Sequence, residues 1–113
     1  MSSDCLFCRI VRREIPAAIV REDEHTLAFR DIDPKAPTHV LVIPKAHVPS
    51  LSDSPDAATL GRLLLAAAEI AKAEGIQASG YRTVINTGAD AGQTVHHVHV
   101  HLLGGRHLKW PPG

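Results

Sequence analysis

The chain has 113 residues, twelve basic and twelve acidic side chains, and eight histidines; a polypeptide this short seldom splits its apolar residues between two cores, so one domain over 1–113 is expected. Balanced charge leaves no net field to draw it to nucleic acid or an anionic membrane, which favours a small-molecule partner. No apolar run nears the ~20 residues of a membrane helix, and residues 1–4 have neither the basic nor the apolar part of a secretory leader, so a cytoplasmic protein is expected.

Residues 5–14 are expected to form a short helix capped by Asp4, with Leu6 or Phe7, Ile10 and Val11 at three-to-four spacing before Pro16 stops it. Its apolar stripe is a candidate pocket wall. Residues 18–22 and 26–31 alternate as two strands, and Asp23-Glu24-His25 between them suits a hairpin turn. Two prolines make 33–37 a loop; 40–43 then reads as a buried strand ended by Pro44, with His39 at its mouth.

Ser54-Pro55-Asp56 is a helix start with Ser54 as cap, and Leu60, Leu63, Leu64, Ala67, Ala68 and Ala71 continue a stripe toward Gly75. Leu65 and Ile70 widen that face, enough to cover a sheet on one side and meet a second subunit on the other, although extra leucines also suit an ordinary core. Residues 81–85 and 95–103 are the fourth and fifth strands. The glycine-containing loop 86–94 between them leads straight into the histidines and is a candidate active-site edge.

If 95–103 is a strand, His97, His99 and His101 face one way, and His96, Val98, Val100 and Leu102 face the other, mostly into the core. The outer two histidines then lie ~13 Å apart at their backbones, too far for all three to ligate one ion. Two of them in an H-x-H pair, with a third ligand, would suit a zinc hydrolase. Alternatively, a neutral imidazole attacks phosphorus near pH 7 while its neighbours hold the phosphate. That requires one ring nitrogen kept as N–H by an acceptor such as a backbone carbonyl. Three histidines merely hydrogen-bonded on a wet sheet face is the blandest alternative. Cys5 and Cys8 form a C-x-x-C pair, which in a reducing compartment suggests a metal or redox chemistry rather than a structural disulfide.

The segment 92–106, GQTVHHVHVHLLGGR, resembles the signature of the histidine triad (HIT) family. The stretch 31–45, DIDPKAPTHVLVIPK, and the ending Trp110-Pro-Pro-Gly113 are similar to its nucleotide-binding branch. The resemblance implies an α+β, HIT-like fold: a five-stranded antiparallel sheet with one long and one short helix, in a homodimer joining two sheets. It implies hydrolysis of purine nucleoside 5′-phosphoramidates to a nucleoside monophosphate such as AMP. By position, His99 would be the nucleophile, His101 would contact the phosphate, and His97 and His39 would support the site. Asp31 and Ile32 resemble a ribose-binding pair, while Leu6, Phe7 and Ile10 would line the base pocket. Asn86, Gly92, Gln93 and Thr94 fall where the family contacts the phosphate, and Thr94 stands where relatives commonly have serine. His96, commonly aromatic in relatives, is expected to be structural.

No cofactor is expected for catalysis. A structural zinc is weighed against two buried reduced thiols: Cys5 and Cys8 need further ligands, and His47 with His97 would complete a Cys2His2 tetrahedron, as in some bacterial relatives. A thioredoxin-like role fits less well, since no strand precedes the pair and Leu6 and Phe7 are apolar. Without the resemblance, Asp31, His39 and Asn86 read as structural, and Trp110 as a pocket cover or the seal of a subunit edge. A nucleotide-binding module without turnover is the remaining alternative function.

Overall fold

The computed structural model describes residues 4–113, so the leaderless reading of residues 1–3 lies outside it. Five strands form one antiparallel sheet in the order β1-β2-β3-β5-β4: β1 (Ile19–Glu22), β2 (Thr26–Arg30), β3 (Thr38–Pro44), β4 (Tyr81–Val84) and β5 (Val100–Gly104). A short helix α1 (Leu6–Val11) and a long helix α2 (Ala57–Ala73) complete the α+β fold expected from the sequence. Among the described residues no helix is long and apolar enough to cross a membrane.

The central strand β3 is buried along its whole length because both faces of the sheet are covered. Val40 and Val42 point to α2, where they join Ala28, Leu63, Ala67, Ile70, Val100 and Leu102 in one core. Leu41 and Ile43 point the other way, joining Phe7, Ile10, Leu27 and Phe29 beneath α1. Period-two alternation thus serves two cores at once.

Several expected boundaries move. The short helix is capped by Cys5 rather than Asp4, with Cys8 N–H donating to the Cys5 sulfur at 3.5 Å. It stops at Val11 because Arg13 is left-handed (φ 64°) and the N–H groups of Arg13 and Glu14 turn back to the carbonyls of Ile10 and Arg9. Ser54 does not cap the long helix. It closes a 3₁₀ turn (Leu51–Asp53), while the Asp56 carboxylate accepts the Thr59 N–H at 2.7 Å, leaving Pro55 ahead of the cap. The third strand starts at Thr38, since Thr38 and His39 pair with Gly104 and Leu103. The hairpin turn is held as expected, with the Asp23 carboxylate accepting from the N–H groups of His25 and Thr26, both at 2.8 Å.

The largest difference is in the fifth strand, which begins at Val100 rather than Val95. Residues 95–99 run beside residue 48, where Val98 N–H donates to the Val48 carbonyl, and join no ladder. Val98 still packs in the core beneath α2 while His97 and His99 lie against Phe7 on the other side, but His96 is exposed instead of packing in the core. Trp110 is also exposed, its ring lying 5.9 Å from the Arg82 guanidinium.

Leu63, fully buried between α2 and the sheet, should be costly to truncate. Leu63→Ala is expected to destabilise the fold by about 3 kcal/mol in urea denaturation. Loss of the cap in Asp56→Ala should lower the melting temperature, whereas Ser54→Ala should leave it nearly unchanged.

Candidate active site

Register places the first pair of imidazoles. His39 pairs with Leu103 and Leu41 with His101, so His39 and His101 lie on the same face, as diagonal neighbours on adjacent strands. His39 Nε2 and His101 Nδ1 are 2.9 Å apart. The Lys35 N–H donates to His39 Nδ1 at 3.0 Å, so the His39 proton must sit on Nε2. His39 Nε2–H then donates to His101 Nδ1, which puts the His101 proton on Nε2. The reverse tautomer would oppose a His39 Nδ1–H to the Lys35 N–H, two donors face to face.

His99 is fixed differently. Its Nδ1–H donates to the main-chain carbonyl of His97 at 2.8 Å, leaving an Nε2 lone pair. The edge-on ring of Phe7 lies 5.1 Å away and the His101 ring 5.0 Å away. Burial pushes His99 below its ordinary pKa, outweighing the His97 carbonyl and the Asp31 charge, which act the other way. Burial likewise lowers His39, and it lowers His101 to about 4 with the neighbouring rings of His99 and His39 adding to the shift. All three rings are therefore neutral near pH 7.

His97 turns away from this group. Its Nε2–H donates to the Pro44 carbonyl at 2.8 Å, and its Nδ1 lies 3.4 and 3.5 Å from the sulfurs of Cys5 and Cys8. His47 Nδ1 lies 3.3 Å from both the Cys8 sulfur and His97 Nδ1. With metal–sulfur bonds of ~2.3 Å and metal–nitrogen bonds of ~2.0 Å, the edges of a tetrahedral site span roughly 3.3–3.8 Å. The four donors fit a Cys2His2 site, and the Pro44 carbonyl orients His97 from behind as an outer-shell acceptor does. With both nitrogens so committed, His97 is not available to share an ion with His99. Asp31, His39 and His101 also converge, but the Lys35 N–H keeps a proton on His39 Nε2, the nitrogen an ion would need.

Leu6, Phe7 and Ile10 line a cavity of about 160 Å³, with Asp31 and Ile32 at its rim. Ile15, Pro16, Ala17, Phe29 and Leu41 also line it, and sequence reasoning missed them. Phe29 and Leu41 were legible as alternate positions on strands; residues 15–17 gave no signal beyond the proline. One Asp31 oxygen accepts the Asp33 N–H at 2.8 Å and the other lies 3.4 Å from His39 Nε2.

The residues expected at the phosphate differ in burial and in partners. Asn86 is half-buried in the loop after β4, and Gly92 is exposed with φ 84°. The Gln93 side chain is consumed internally: its oxygen accepts the Gly88 N–H, and its amide donates to the carbonyls of Pro49 and Val95. Thr94 is exposed and lines a different cavity, of about 430 Å³, with Cys5, Leu6, His47 and His96.

The fold and this cluster define a small α+β protein carrying buried neutral imidazoles beside an apolar pocket. The model of the HIT domain matches residues 12–108, and the chain belongs to the HIT family. It is 57% identical to a HIT-like protein of Synechococcus elongatus, over all of both chains. It is 48% identical to the purine nucleoside phosphoramidase of Escherichia coli, over 96% of this chain and 92% of that protein. A HIT family hydrolase from Legionella pneumophila has a crystal structure that superposes with TM-score 0.94 at 51% identity, covering 96% of this chain and 99% of that one.

The low His101 pKa has a consequence for stability. A half-buried ring that stays neutral to about 4 binds fewer protons than the unfolded chain below its ordinary 6.5. Stability should therefore be complete above pH 6.5 and decline as pH falls toward 4. Carboxylates with lowered pKa values, such as Glu74, add to the loss only below their ordinary 4.5. Urea denaturation at pH 7, 6, 5 and 4 checks this; a flat profile from 7 to 5 would contradict it.

Proposed function

We propose that this chain hydrolyses purine nucleoside 5′-phosphoramidates through a nucleotidyl-histidine intermediate on His99. The observation that carries this reading is the His99 ring: its Nδ1–H is held by the His97 carbonyl, it is buried and neutral, and its free Nε2 is a nucleophile at pH 7. The 48% identity to the Escherichia coli purine nucleoside phosphoramidase supports the substrate class.

In this reading the base enters the pocket of Leu6, Phe7 and Ile10, and the Asp31 carboxylate accepts hydrogen bonds from the ribose hydroxyls. His99 Nε2 attacks phosphorus, the P–N bond breaks, and the amine leaves with a proton taken from solvent, which the hydrolytic water gives back in the second step. His101 Nε2–H donates to the phosphoryl oxygen where charge grows. Water then cleaves the histidine–phosphorus bond, releasing the nucleoside monophosphate and restoring His99. His39 supports His101. Gln93, whose side chain is spent on main-chain groups, shapes the loop rather than touching substrate.

Cys5, Cys8, His47 and His97 hold a structural zinc, which ties α1 to the end of β3 and takes no part in turnover. Two chains pair through the open edge of β4, where Tyr81 is exposed, and through Leu64 and Leu65 of α2. The protein works as one HIT domain in the cytoplasm.

Steady-state turnover of an adenosine phosphoramidate should fall at least ~10³-fold in His99→Ala. Equal rates in variant and wild type would sink the reading. A binding module without turnover would bind the nucleotide and release no amine. Metal analysis should find one zinc per chain, lost in Cys8→Ser with a lower melting temperature, while chelation leaves turnover of the folded protein intact. Sedimentation at micromolar concentration should give a dimer.

A further inference from the structure

Lys35 lies on the exposed loop between β2 and β3, yet its N–H decides which nitrogen of His39 carries the proton. Within the loop, the Lys35 ammonium pairs only with the neighbouring Asp33 carboxylate, at 2.6 Å. The loop is held from the far end of β5. The Arg106 guanidinium donates twice to the Lys35 carbonyl, from Nε at 3.1 Å and Nη2 at 2.8 Å, and its Nη1 donates to the His107 carbonyl at 3.1 Å. Gly105, with φ 90°, lets the two segments meet: a Cβ there would come within 2.9 Å of the Pro37 Cβ.

We propose that Arg106 is a positioning residue: by gripping the Lys35 carbonyl through two donors, it keeps the Lys35 N–H on His39 and so locks His101 in the Nε2–H tautomer. This rests on the reading that His101 donates to the substrate's phosphate. A guanidinium suits the task because its donors lie in a rigid plane and grip one acceptor from two directions. Lysine would supply a compact ammonium on a flexible stem, reaching the carbonyl from one point. Burial keeps His39 and His101 neutral near pH 7, so tautomer rather than charge decides whether His101 offers a donor or a lone pair.

The linkage runs in one direction. Without Arg106, Lys35 can swing away and His39 Nδ1 loses its donor. His39 can then carry its proton on Nδ1, and His101 must put its own on the nitrogen facing His39. The substrate would meet a lone pair where it needs a hydrogen.

Nitrogen-15 NMR of the histidine rings in the free protein reads this directly. Wild type should show His101 with a protonated Nε2 and an unprotonated Nδ1. In Arg106→Ala the two shifts should move toward each other, and kcat for an adenosine phosphoramidate should fall ~10-fold while KM changes by less than about twofold. Arg106→Lys should move both readouts the same way by less, and it carries the comparison if the alanine variant does not fold. A His101 tautomer unchanged from wild type in the folded variants overturns the proposal, whatever their rates, because a merely structural residue would lower activity without moving the proton. An Nδ1–H tautomer in wild type overturns it too. The NMR arm uses no substrate, so retained turnover in His99→Ala would remove the proposed reaction and leave the Arg106 linkage standing or falling on its own.

Discussion

The pairing of β3 with β5 fixes the geometry on which the site depends. Opposing Leu41 to His101 and His39 to Leu103 puts one imidazole from each strand on the face beneath α1, and sends Val40, Val42, Val100 and Leu102 into the core beneath α2. A slip of β5 by one residue would turn His101 into the aliphatic core beneath α2 and send Val100 and Leu102 to the opposite face. The apolar core thus selects the register, and the register delivers the ring pair. Because β3 is central and covered on both faces, that pairing belongs to the most protected part of the fold.

From there the histidines separate by their hydrogen-bond partners. Each ring contains one donor and one acceptor when neutral, so a single neighbour on one nitrogen determines the other. A main-chain N–H directs His39 and, through it, His101; main-chain carbonyls direct His99 and His97. The result is one ring offering a lone pair, one offering a hydrogen, and one facing two thiols. Three side chains of identical chemistry become distinct because the backbone around each presents a different group.

Much of this was legible in the sequence. The five strands, both helices and the hairpin turn followed from periodicity and turn chemistry, and the apolar run 40–43 was rightly read as a buried strand. The converging set Cys5, Cys8, His47 and His97, proposed from the cysteine pair and the relatives' pattern, is brought together within ligand range. Segment 95–99 misled because His97-Val98-His99 runs on into Val100-His101-Leu102 with the alternation of a strand. Alternation reports which side chains can be buried; it says nothing of whether a neighbouring strand supplies ladder partners. The role of Gln93 was missed for a related reason: a glutamine bonded to three main-chain groups looks like any polar loop residue until residues 49, 88 and 95 are adjacent.

The absence of a ladder along 95–99 explains why so many polar side chains gather there. A buried or half-buried segment must find partners for its main-chain groups, and this one has a single main-chain bond to the Val48 carbonyl. The Gln93 amide takes up the Val95 carbonyl, and the His99 ring takes up the His97 carbonyl. The His97 side chain adds a tie to Pro44 at the end of β3 and another to the cysteine cluster at α1. Side chains therefore do here what a sheet does elsewhere, and the same bonds that secure the segment set the His99 tautomer. A regular strand over these residues would have given the His97 carbonyl to a neighbouring N–H and left His99 without the acceptor that aims its lone pair.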